Sequence, residues 1–179
     1  MSKTKTTKSK KAKRKAVKKL KIGRLIIVLL ILGALVYGAR LVAFEPVKIT
    51  TDAMAPTYAS GDTVMVNKLT LWKEFNISRG DIVYASFAGD SARLIRRVVG
   101  IEGDLIDIRE DGTYLVDTDG NETYLGSETT GLTGGTLPYG AYLLLGDTAA
   151  GLDSRTLGLV YRTDILGIPG KIIWPISRI

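Results

Sequence analysis

Polar and apolar positions divide the chain into three stretches of different texture. Residues 1–24 interleave Lys and Arg with small polar side chains and contain no acid. The next stretch, from Leu25 to Phe44, is apolar except for Arg40. Its length matches the ~20 residues that a helix needs to cross a hydrocarbon core of about 30 Å. Beyond Glu45 the apolar residues come in short runs separated by Gly, Asp and Pro, the pattern of strands and turns. Strands are predicted over Asp62–Lys68, Asp81–Phe87, Arg93–Ile101, Leu105–Ile108, Tyr142–Leu145 and Gly170–Trp174. Tyr114–Val116 and Thr123–Leu125 flank Asp119-Gly120 as a hairpin, and Asp111-Gly112 marks another tight turn. No segment after residue 45 sustains a helical period. The expected fold is mainly β, one antiparallel domain after a single N-terminal transmembrane helix.

Charge sharpens this division. The 179 residues carry a net charge of +7, but twelve of the 25 Lys/Arg lie in residues 1–24. The remainder has 13 basic residues against all 18 acids. The basic character therefore belongs to a tail that contains no aromatic residue, which argues against a nucleic-acid partner. Twelve cations before the apolar run place the N-terminus in the cytoplasm by the positive-inside rule and leave the β domain outside the cell. The run is too long for the h-region of a cleavable signal peptide, and no small-x-small site follows it, so it reads as an uncleaved anchor in the plasma membrane. Arg40 sits near its outer end, within snorkelling reach of the interface. The tail meets anionic lipid by charge. The expected domains are thus a basic cytoplasmic tail (1–24), a membrane anchor (25–44) and an extracytoplasmic β domain (45–179). Trp72 and Phe75 are candidates for the membrane surface, with core packing the plainer role.

There is no cysteine and no histidine. Disulfides, thiol chemistry and any mechanism with a histidine base are excluded, and no metal or other cofactor is expected. Asn76-Ile-Ser78 and Asn121-Glu-Thr123 fit glycosylation sequons, a pattern short enough to arise by chance.

Three short blocks carry more. Thr51-Asp52-Ala53-Met54-Ala55-Pro56-Thr57 is followed by Leu94-Ile95-Arg96-Arg97-Val98-Val99-Gly100, and then by Gly146-Asp147-Thr148-Ala149-Ala150-Gly151-Leu152-Asp153-Ser154-Arg155. Each alone has a plain reading. The first is a turn before a strand, the second a strand with an arginine on each face, the third a loop. In this order, behind an apolar anchor, they resemble the three conserved blocks of type I signal peptidases. That resemblance spans residues 25 to 179. It implies the signal-peptidase type of antiparallel, coiled, barrel-like β domain. It also implies a serine nucleophile in Ser-Met-x-Pro-Thr and a lysine base in Lys-Arg-Val-x-Gly. Ala53 and Arg96 stand at those two places. Asp147, Asp153, Ser154 and Arg155 match the third block, Gly-Asp-Asn-Arg-x-x-Ser-x-Asp-Ser-Arg. Its Asn-Arg pair and middle serine are absent, with Gly151 at the serine's place.

A methyl group cannot attack a carbonyl, so Ala53 cannot form an acyl-enzyme. Arginine stays protonated near neutral pH, so Arg96 cannot act as a base. No catalytic residue is assigned. Thr51, Asp52, Ala53, Met54 and Arg96 are candidates for a peptide-binding cleft, because active members hold their peptide as an added strand. Arg96, pointing inward, is expected to pair with Asp153, Asp147 or Asp52 and to plug the old site. Asp147, Asp153, Ser154 and Arg155 are expected to brace the loop, the Asp-Arg pair through charge-assisted hydrogen bonds.

The resemblance is closest to degenerate members that accompany Gram-positive pilus clusters. It implies a binding protein for pilins or signal-peptide-bearing precursors that assists sortase. The alternative is an active signal peptidase with non-standard residues, for which Thr51, Ser154 and Lys68 are the available groups.

Overall fold

The computed structural model describes residues 26–38, 40, 43–69, 76–87, 89, 92–127, 129–149 and 151–178. Two compact units, residues 1–42 and 43–179, are taken separately. In the first, 26–38 is helical (α1), and its large apolar side chains from Ile26 to Tyr37 are all exposed. Among the described residues no helix is long and apolar enough to cross a membrane. The basic tail 1–24, parts of the expected anchor (25, 39, 41 and 42), Trp72 and Phe75 lie outside the described residues.

In the second unit, eleven strands form two antiparallel sheets. They are β1 (Phe44–Lys48), β2 (Thr63–Asn67), β3 (Ile82–Phe87), β4 (Ala92–Gly100), β5 (Leu105–Arg109), β6 (Gly112–Val116), β7 (Glu122–Gly126), β8 (Gly135–Thr136), β9 (Ala141–Leu145), β10 (Val160–Tyr161) and β11 (Ile165–Trp174). The large sheet has the order β1-β2-β11-β3-β4-β9-β10 and the small one β7-β6-β5-β8. Among the described residues no ladder joins β1 to β10.

Each strand read from the sequence is present, and the β6–β7 hairpin pairs as expected, Tyr114 opposite Tyr124. Two boundaries move. Phe44 was read as the last anchor residue, yet it opens β1 and pairs with Asn67. β11 starts five residues earlier than read, because Gly167 lets it press against β2: a Cβ there would stand 2.5 Å from Val66 Cγ1. One short helix, α2 (Ser154–Leu157), lies in the region read as lacking helix.

Alternation sets the core. In β2, Val64 and Val66 are fully buried while Thr63, Met65 and Asn67 are half-buried. They pack with Met54, Tyr58, Tyr84 and Ile95 beneath β1, β3 and β4. A second cluster, around Phe87, Val98 and Leu144, lies along β3, β4 and β9, and a third, around Leu115 and Leu137, backs the small sheet.

Candidate functional site

The first block is a compact excursion between β1 and β2. The Ile49 amide donates to Asp62 O (2.7 Å) and the Gly61 amide returns to Ile49 O (2.9 Å), closing its neck. Inside, Ala55 N donates to Asp52 O and Tyr58 N to Met54 O. The Asp52 carboxylate accepts from Ser60 N, and the buried Asp62 carboxylate accepts from Ala59 N. Met54 and Tyr58 anchor the excursion in the core, and the Tyr58 hydroxyl donates to Gly170 O.

Ala53 has no accessible surface. The third block covers it. Thr148 N donates to Ala53 O (3.0 Å), and Thr148 Oγ1 donates to Asp52 O. Gly151, at φ +99°, comes so near that a Cβ there would lie 3.2 Å from Ala53 Cβ and 3.4 Å from Arg96 Nη2.

Arg96 is only 3 % exposed and does lie beside Ala53, but among the described residues no carboxylate pairs with it. Its Nε (2.9 Å) and Nη2 (2.6 Å) both donate to Leu152 O, and Nη1 donates to Ile95 O (2.6 Å). The three expected partners are engaged elsewhere. Asp147 takes a two-bonded fork from Arg97 at 2.7 Å each, and Arg97 also donates to Gly80 O. Asp153 takes a fork from Arg155, caps α2 by accepting from Arg155 N, and accepts from Gly146 N. Asp52 faces Ser60. Backbone carbonyls therefore do the work that a carboxylate was expected to do. Burial holds the Arg96 guanidinium below the ordinary arginine value, against the opposing charge of Asp153. It remains a cation at neutral pH.

The expected bracing of the loop is present. Asp153–Arg155 is a charge-assisted fork at 2.7 Å, and the fully buried Ser154 Oγ accepts from Leu144 N. Arg97 was read as an exposed arginine needing no explanation. It instead joins β4 to the loop through Asp147, and hydrogen bonding to that carboxylate raises its pKa.

Beside Ala53 lies a narrow cleft with about 40 Å³ of room, lined by Val47–Thr51, Met54 and Arg93–Arg96. Two strand edges border it: among the described residues β1 pairs with β2 alone, and the β4–β9 ladder begins at Arg97. Thr51, Met54 and Arg96 line the cleft, whereas Asp52 and Ala53 do not. Sequence reading did not single out Lys48, Arg93 and Leu94 as cleft residues: Leu94 opens the second block, Arg93 immediately precedes it, and Lys48 lies just before the first block.

The model of the family described as "Signal peptidase, peptidase S26" matches residues 22–174. The chain belongs to the peptidase S26 signal peptidase family. Signal peptidase I U of Bacillus subtilis is 29 % identical over 151 residues, covering 78 % of this chain and 80 % of its own length. Signal peptidase I P of B. subtilis subsp. natto is 30 % identical over 153 residues (78 % and 82 %). Signal peptidase IB of Staphylococcus aureus is 28 % identical over 153 residues (74 % and 79 %). The crystal structure of a signal peptidase I from Enterococcus faecalis covers 52 % of this chain and 96 % of its own, at 21 % identity and a TM-score of 0.36.

Proposed function

We propose that this chain is a non-cleaving, membrane-anchored signal peptidase homologue that holds an extended segment of an exported precursor or pilin and assists sortase-dependent pilus assembly. One observation carries the loss of cleavage: the position of the nucleophile is a methyl group without accessible surface, beside a guanidinium that cannot accept a proton. Among the described residues no other pair of groups supports a relocated reaction. The Ser154 hydroxyl is buried against Leu144 N, and Lys68 is ion-paired with Glu45. Thr51 is exposed, but no base is placed at it, and reach comes before pKa.

Holding a peptide needs neither reacting group. Among the described residues β1 has a ladder on one side only and the β4–β9 ladder begins at Arg97, which supports addition of a strand at the cleft. The all-round apolar surface of α1, next to twelve cations, supports a plasma-membrane anchor with the β domain outside the cell. Sortase and the pilin enter by family resemblance.

The test is incubation of the purified full-length protein in detergent with a signal-peptide-bearing precursor, beside an active family member. The expected result is retention of the precursor uncut, scored by pull-down and by gel. Cleavage at the signal-peptide junction would overturn the reading. The pilus role is tested separately by gene deletion in the source organism, which should abolish the ladder of covalent pilin polymers. An unchanged ladder sinks that part alone.

A further inference from the structure

Residues 43–179 carry 12 Lys/Arg against 18 Asp/Glu, so the β domain as a whole is acidic. Its cleft is the opposite. Among the described residues Lys48, Arg93 and Arg96 line it, and no carboxylate does. A concave site of one sign on a body of the other selects ligands by charge.

The cleft is also closed at one end. Ala53, beside Thr51, Met54 and Arg96 of the lining, is itself absent from it and has no accessible surface. Thr148 N is hydrogen-bonded to Ala53 O. A chain lying in the cleft cannot pass over Ala53 as a substrate awaiting cleavage must.

At that closed end stands Arg96. A guanidinium has five N–H donors. Three are spent, Nε and one on Nη2 to Leu152 O and one on Nη1 to Ile95 O. One N–H remains on each terminal nitrogen, and a carboxylate accepts charge-assisted hydrogen bonds from such donors. A buried cation served only by carbonyl oxygens gains most from an arriving anion, because its desolvation is already complete.

We propose that the cleft takes the C-terminal end of an extended peptide, with the free α-carboxylate seated on Arg96. This rests on the peptide-holding reading above and specifies the class of peptide: a finished chain end, such as the released product of another peptidase, and not a continuous scissile segment. Backbone pairing to the β1 and β4 edges orients the chain, while Lys48 and Arg93 at the exposed flanks draw the acid in.

The experiment measures fluorescence anisotropy of a labelled decapeptide ending in Ala-Leu-Ala, the small-x-small end of a signal-peptide product, against the full-length protein in detergent. The peptide is used as the free acid and as the C-terminal amide. The acid should bind the unmodified protein about tenfold or more tightly than the amide, the ratio expected of a charge-assisted bond to a buried partner. In R96Q that ratio should fall to about two or less, with the amide's own affinity little changed. Equal affinity of acid and amide for the unmodified protein overturns the carboxylate assignment and leaves the peptide-holding reading in place. Failure of both peptides to bind sinks the two together. Displacement of the acid peptide by phosphatidylglycerol micelles as readily as by unlabelled peptide would overturn it in favour of a lipid headgroup site. The acid–amide comparison on unmodified protein decides the matter even if R96Q does not fold.

Discussion

Replacing Arg96 with Met separates two accounts of a buried cation. If Arg96 were one half of a buried ion pair, its removal would strand a carboxylate and cost about 3–5 kcal/mol. The structure gives it carbonyl partners instead, Leu152 O and Ile95 O, and no carboxylate. Removal then has opposing consequences. The desolvation penalty of a cation, several kcal/mol after relaxation, disappears. Hydrogen bonds of about 1.5–3 kcal/mol each are lost from a charged donor. Leu152 is 52 % exposed, so its carbonyl is well placed to recover water, whereas Ile95 is buried and its carbonyl is the main loss. Met fills a similar volume without a charge and adapts to irregular gaps. The net change should lie within about 1.5 kcal/mol of zero, of either sign. Urea unfolding of full-length protein in detergent, followed by circular dichroism, measures it, with an unchanged m-value as the check that the same surface unfolds. A loss above about 3 kcal/mol would refute the carbonyl account and point to Asp153 turning from Arg155 to Arg96. Stability and ligand readouts are expected to part company here, because R96M keeps the fold and loses the carboxylate seat.

Asp153→Ala should be the costly change in the same loop. It removes the cap of α2, the acceptor for Gly146 N and the partner of Arg155, for about 3 kcal/mol, or roughly 10 °C in Tm. Asp153→Asn, which keeps acceptors for the amides, should lose about half as much; a loss below about 1 kcal/mol for the alanine variant would contradict the bracing role. Restoring both reacting groups in A53S/R96K should give less than about 1 % of the turnover of an active family member, because access and a base-side loop are still missing; precursor cleavage approaching that of the control would show that the loop opens freely. Tyr58 and Tyr84 both have pKa values raised by burial, opposed at Tyr58 by the charge of Arg97 and strengthened at Tyr84 by Glu45. A raised folded-state pKa on an acid means that the folded protein binds the proton more tightly. Their stabilisation is therefore fully present below the unfolded tyrosine value and is lost as pH rises through the folded values. Stability from urea titrations should decline from about pH 10 upward, and Tyr58→Phe should make that decline shallower; an unchanged alkaline slope in the variant contradicts this.

Local patterning made the strands legible. Thr63–Asn67 alternates cleanly, and β3 and β4 are branched-residue runs bounded by turns, so period and composition agree. β8 and β10, two residues each, have no period to read. β1 was hidden because Phe44 continues the preceding apolar run, and hydropathy alone cannot mark where a helix hands over to a strand. At the site, spacing identified Ala53, Arg96 and the Asp153–Arg155 brace, since all sit inside the blocks. It did not reveal whom Arg96 binds. Three acids were equally near in motif space, and only the fold shows Asp147 facing Arg97 across the β4–β9 junction while Asp153 turns back on its own helix. Lys48 and Arg93 precede the motifs, and a motif match carries no information about its flanks.

Three of the motif differences, at Ala53, Arg96 and Gly151, meet at one point in the structure. Arg96 places Nη2 where a Cβ at position 151 would come within 3.4 Å, and Ala53 places its methyl within 3.2 Å of the same point. A side chain at 151 would therefore press on both, and at φ +99° it would also be strained. Glycine there lets the loop descend, the descent removes all accessible surface from Ala53, and it brings Leu152 O down onto the guanidinium. Each change makes the others tolerable: a larger cation at 96 needs a smaller residue at 151, and a buried position 53 has no use for a hydroxyl. Reversal at one position alone meets a clash or an unpartnered polar group in a packed site. The β1–β2 ladder and the start of the β4–β9 ladder at Arg97 lie outside this coupling, so on the non-cleaving reading proposed above the three positions change together without disturbing the strands that border the cleft.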